Sequence, residues 1–95
     1  MRARLLRHEK HLYDDGMILE MKLWQLSSPV PGSRHSLKYS LFYGDGGGRL
    51  VGYDNEQGKG DHRHRGGIEE PYTFVSFRQL VADFLADVKT IRGAP

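Results

Sequence analysis

Between residues 17 and 55 apolar side chains recur at every second position, and this alternation restricts the fold more than any other feature of the chain. Met17, Leu19, Met21 and Leu23 fall on one side, with Ile18, Glu20, Lys22 and Trp24 on the other. Residues 35–43 repeat the pattern, with Leu37, Tyr39, Leu41 and Tyr43 against Ser36, Lys38, Ser40 and Phe42. Residues 49–55 do so again, placing Val51 and Tyr53 opposite Leu50, Gly52 and Asp54. A period of two lines up side chains only in an extended strand, so each segment reads as a strand with one buried face and one mostly wet face. Trp24 is read as core all the same, its large ring outweighing its place in the count.

The segments are separated by residues that reverse a chain. Asp14-Asp15-Gly16 favours a tight turn after a first strand over residues 3–13, and Gly44-Asp45-Gly46-Gly47-Gly48 makes a second reversal. Residues 27–33 carry two prolines and a glycine and read as an exposed loop. His8 and His11 read as surface residues of the first strand, and Asp54-Asn55 suits an Asx-type turn.

The C-terminal third changes period. Tyr72-Thr73-Phe74-Val75 suits either a fifth strand or the approach to a helix. Ser76 with Gln79 three residues later fits a capping box, and Phe77, Leu80, Val81, Phe84, Leu85, Val88 and Ile91 then follow at spacings of three and four. Gly93 and Pro95 end the helix. The expected fold class is α+β: a curved antiparallel β-sheet of four to five strands in meander order, with one C-terminal helix packed on it.

At 95 residues and 38% hydrophobic content, the chain is expected to form one domain over residues 1–95 with a single modest core. It has no cysteine, which excludes disulfides and thiolate metal ligands. Its apolar runs are too short to span a bilayer and its start lacks the apolar region of a secretory signal, so a cytoplasmic location without membrane contact is expected.

Residues 58–67, Gly-Lys-Gly-Asp-His-Arg-His-Arg-Gly-Gly, offer no apolar anchor for a core. Their net charge equals that of the whole chain, +2. His62 and His64 stand two residues apart, so in an extended segment both point the same way. Two imidazoles beside cations suit general acid–base work on a phosphodiester, with His62 and His64 moving protons and Asp54 or Asp61 orienting a ring. In that reading Lys59, Arg63 and Arg65 hold the phosphate, and Lys38, on a strand face with serines, is a further candidate. RNA cleavage needs only such a set, because the 2′-hydroxyl is an internal nucleophile. The same imidazoles suit a divalent transition metal, with Asp54, Glu56 or Asp61 as oxygen ligands. Arg63 between the two rings weighs against that ion, so neither metal nor other cofactor is expected. The plainest alternative is a solvated surface loop.

The succession Asp15-Gly16, Leu23-Trp24, Leu37-Lys38-Tyr39, Tyr53-Asp54-Asn55-Glu56, Lys59-Gly60-Asp61-His62-Arg63-His64 and the helix over residues 77–88 resembles the small TumE-type toxin family of bacterial type II toxin–antitoxin systems. The stretch from Tyr53 to His64 is its most specific part. The resemblance implies a toxin encoded beside a helix-turn-helix antitoxin that neutralises it, and RNA as the target. Three readings follow: an endoribonuclease that works without metal, a toxin that blocks a target by binding, and a metal-dependent hydrolase. Self-association into a homodimer is compatible with all three.

Overall fold

The computed structural model describes residues 3–29, 34–55 and 60–93. Six strands, β1 (Ala3–Leu12), β2 (Ile18–Leu26), β3 (Leu37–Asp45), β4 (Gly48–Asp54), β5 (His62–Arg65) and β6 (Ile68–Pro71), precede one helix, α1 (Phe77–Arg92). The strands pair antiparallel in sequence order, so the sheet is a meander with β1 and β6 at its edges. Fold class, meander order and C-terminal helix agree with the sequence reading. The strand count rises to six because β5 falls in the charged stretch 58–67 and β6 just after it, neither carrying the apolar alternation that marks a strand. Residues 72–75 are the approach to the helix rather than a strand.

The turns form where their chemistry predicts. Tyr13 N donates to Met17 O at 2.8 Å and Gly16, with φ 87°, closes the first hairpin. Asp15 Oδ1 accepts from Met17 N at 3.1 Å, an Asx contact that stiffens the reversal. Gly66 and Gly67, at φ 57° and 85°, join β5 to β6 by the two-residue turn that needs positive φ at both positions.

One face of the sheet supplies the core. Leu19, Met21 and Leu23 of β2, Tyr39, Leu41 and Tyr43 of β3, and Val51 and Tyr53 of β4 are buried beneath Leu80, Phe84 and Val88 of α1. Phe84 meets the Tyr53 ring edge-on with centroids 6.0 Å apart. Leu85 and Ile91 belong to the helical stripe in sequence but stay exposed. Trp24 is not core: it lies half-buried on the opposite face, 5.6 Å from Lys38 Nζ measured to the ring centroid, as its even position in the alternation requires.

Ser76 caps α1 by accepting from Gln79 N at 3.1 Å. The reciprocal half of the capping box is absent, because the Gln79 amide turns instead to Asp83 Oδ1 at 2.7 Å. Gly93 adopts the left-handed conformation that ends the helix. No helix among the described residues is long and apolar enough to cross a membrane.

The buried side chain of Asn55 accepts from Tyr39 N at 3.0 Å and donates to Leu37 O at 2.7 Å, replacing the next rung of the ladder where β4 ends; the residues that would close an Asx turn after Asp54-Asn55 lie outside the described residues.

Because Phe84 is wholly buried at the centre of the helix–sheet contact, Phe84→Ala is expected to destabilise the fold by about 3–5 kcal/mol. Chemical denaturation would measure this as a lower midpoint with little change in slope.

Candidate functional site

Pairing between β4 and β5 decides which side chains of the charged stretch can meet. Asp54 stands opposite His62 and Gly52 opposite His64, while Tyr53 stands opposite Arg63 and Val51 opposite Arg65. Side chains alternate between the faces of a sheet. His62, His64 and Asp54 therefore share the outer face, away from α1, whereas Arg63 and Arg65 share the helix face with Tyr53 and Val51.

On the outer face the three candidate groups converge. The His62 and His64 rings meet edge-on, centroids 5.2 Å apart. One ligand atom from each of Asp54, His62 and His64 lies within 4.8 Å of the other two. His62 is only 5% exposed, and its Nδ1 lies 3.2 Å from the Gly60 carbonyl. A carbonyl can only accept, so Nδ1 carries the proton of that contact. Its Nε2 touches Asp54 Oδ1. Oδ1 is buried and nevertheless lacks a hydrogen-bond partner among the described residues, so this contact lacks the alignment that a hydrogen bond needs. His64 is half-buried and has Glu69 Oε2 at 3.7 Å.

Cations flank Asp54 on this face. Arg49, which the sequence reading did not single out, lies across Gly52 and brings Nη1 to 3.9 Å from Asp54 Oδ2. A Cβ at Gly52 would run into Arg49 Cδ, so the glycine makes room for the arginine. A glycine inside an alternating strand was the available signal for such a close approach. Lys38 lies on the same face, where it joins Ser40, Asp54 and Asn55 in lining a shallow cavity of ≈ 370 Å³ in empty volume. Lys59 and Glu56 lie outside the described residues.

The remaining candidates are engaged elsewhere. Asp61 is turned from the imidazole pair: its Oδ2 accepts from Tyr39 Oη at 2.7 Å and lies 2.7 Å from His35 Nε2. Burial first, and the bond to Asp61 second, push the Tyr39 phenol far above its ordinary range, keeping it a donor. His35 also stacks on Phe74 at 3.9 Å between centroids, a role without a periodic signal in sequence.

Arg63 and Arg65 both hold Glu70 Oε1 at 2.7 Å. Arg63 Nη1 donates to Tyr53 Oη at 3.2 Å, Tyr53 Oη donates to Asp87 of α1, and Arg65 Nη1 lies 3.7 Å from Asp87 Oδ1. These contacts form a closed ring that ties β5 and β6 to the helix. Burial and the Asp87 bond push the Tyr53 phenol up to about 12. Sequence reasoning grouped Arg63 and Arg65 with the imidazoles because all four are neighbours along the chain; the alternation of β5 separates them.

The family model described as Toxin TumE matches residues 2–92 of the chain. No curated protein and no solved structure matches it.

Arg63 first, and Arg65 second, hold the Glu70 carboxyl below its ordinary value of 4.5. A depressed folded-state value means that this pairing stabilises the protein above the ordinary carboxylate range and is lost as pH falls through the folded value. Glu70→Gln is expected to remove that share of the acid sensitivity. Thermal midpoints recorded from pH 7 down to pH 3 would show a shallower fall for the variant than for the native protein.

Proposed function

The chain belongs to the TumE toxin family, and from that premise we propose that it is a toxin that cuts RNA with His62 and His64 at the outer face of its sheet. The observation that carries the reading is the edge-on pair of imidazoles, 5.2 Å between centroids, with the Asp54 carboxylate set against one of them. Two rings at that spacing can reach the two oxygens that exchange protons when a phosphodiester is cleaved. One takes the proton of the 2′-hydroxyl, which attacks its own phosphorus; the other gives a proton to the departing 5′-oxygen. The Gly60 carbonyl, accepting from Nδ1, orients His62 and fixes its tautomer, with the Asp54 carboxylate against the ring's other nitrogen.

Negative charge grows on the phosphoryl oxygens during that displacement. Arg49 and Lys38 lie beside Asp54 on the same face and are assigned to this charge. Lys59, eight residues downstream of Val51, keeps the phosphate role assigned from sequence. Arg63 and Arg65 support the site indirectly, by holding β5 in register against the helix.

Family membership implies a cognate antitoxin. In this reading the antitoxin is the helix-turn-helix protein expected from the sequence, and it silences the toxin by covering the outer face, where carboxylates would meet Arg49 and Lys38.

His64→Ala is expected to lower RNA cleavage roughly 10²–10⁴-fold with an unchanged circular dichroism spectrum. Cleavage should persist in chelator, leave 2′,3′-cyclic phosphate ends, and fail on RNA whose 2′-hydroxyls are methylated. Undiminished cutting of the methylated RNA, which keeps every phosphate but lacks the nucleophile, would overturn the reading.

A further inference from the structure

The contact between His62 and Asp54 has an electrostatic difficulty. With Nδ1–H donating to the Gly60 carbonyl, an uncharged ring would present the lone pair of Nε2 to Asp54 Oδ1, itself an acceptor. Two acceptors in contact repel unless a positive charge lies between or beside them. An aligned proton would supply it, but Oδ1 has no aligned hydrogen-bond partner. Arg49 approaches the other oxygen, Oδ2, at 3.9 Å, so it does not fill this position. His64 completes a set of three donors that lie within 4.8 Å of one another.

We infer that Asp54, His62 and His64 form a binding site for a divalent transition metal ion, such as zinc or cobalt, and that the ion competes with proton transfer by the two histidines. The donor set of two imidazoles and one carboxylate suits a borderline ion and leaves positions open to solvent. The carbonyl behind His62 is the outer partner that metal-bound imidazoles ordinarily have. Zinc bonds of about 2.0–2.2 Å set neighbouring donors roughly 3–3.5 Å apart, so the His62–Asp54 contact must open and His64 must draw in, both within the reach of small side-chain rotations. Arg63 raises no obstacle to the ion, because it faces α1 and is held by Glu70 and Tyr53.

The consequence for activity rests on the proposed function; the site itself does not. An ion on the imidazole nitrogens occupies the lone pairs that would accept the 2′-hydroxyl proton. It leaves no free base, so metal uptake silences the reaction without altering the fold.

Chelator-treated protein titrated with cobalt(II), followed by visible absorbance, and with zinc, followed by calorimetry, tests the site without RNA. The expected result is saturation at one ion per chain. Asp54→Asn and His64→Gln, chosen for their similar shape, should weaken binding at least about tenfold, whereas His8→Ala, on the same face but in β1, should leave it unchanged. Absence of saturable binding, or equal binding by Asp54→Asn and His64→Gln, would overturn the site. In a parallel assay, zinc at saturating concentration should stop RNA cleavage and chelator should restore it. Faster cleavage with zinc would keep the site but overturn the competition, and would replace the metal-free mechanism with a metal-activated water. If native protein cuts no RNA with or without metal, the proposed function fails and the titrations still decide the site.

Discussion

The antiparallel pairing of β4 with β5 is the constraint on which the rest of the site depends. Four charged residues in succession, His62, Arg63, His64 and Arg65, cannot share one face of a strand, and the ladder against residues 51–54 determines which go where. Both imidazoles join Asp54 on the open face. Both guanidinium groups join Tyr53 and Glu70 on the covered face, where arginine's planar donors can bind carboxylate and phenol together. Removing the cations from between the imidazoles changes the chemistry available there. A proton or a metal ion becomes the natural companion of the pair, while Arg49 reaches it from the neighbouring strand across a glycine.

The helix and the sheet are joined by two kinds of force with different reach. Phe84, Leu80 and Val88 bury apolar surface on β2 to β4, which supplies most of the driving force. The buried patch does not extend to β5 and β6, whose residues on that face are Arg63, Arg65 and Glu70 with an exposed Ile68. There the ring through Glu70, Arg63, Tyr53 and Asp87 takes over, with Tyr72 Oη donating to Asp83 Oδ2 at 2.6 Å alongside it. The candidate site therefore lies on the polar end of the fold, held by directional bonds rather than by packing.

Much of this architecture was legible in sequence because apolar alternation and turn residues report directly on burial and on backbone sign. The three central strands, the first hairpin and the Ser76 cap follow from those signals. β5 and β6 did not, since His62, Arg63, His64 and Arg65 contain no apolar residue to mark an inward face; the paired Gly66 and Gly67 were the surviving hint of a hairpin. The imidazole pair and Asp54 were identifiable by type and spacing. Arg49 was not, because its role depends on folding back over Gly52, and Asp61 meets Tyr39 and His35 rather than the pair, because neighbours along a chain need not share a face. Its partner Tyr39 is distant in sequence and contributes from the core side.

The two-residue period of β5 also governs which genetic changes this region can absorb. Substitution at 63 or 65 adjusts the attachment to the helix, and substitution at 62 or 64 adjusts the open face, so the two properties can drift independently. Loss or gain of a single codon within the strand would exchange them at one stroke, turning imidazoles into the charged ring and guanidinium groups outward. Such a lesion discards both attachment and chemistry together. Selection against a harmful product would find it an efficient route to inactivation, while lineages that keep the product active should hold the strand's length and its two imidazoles constant and confine variation to 63 and 65.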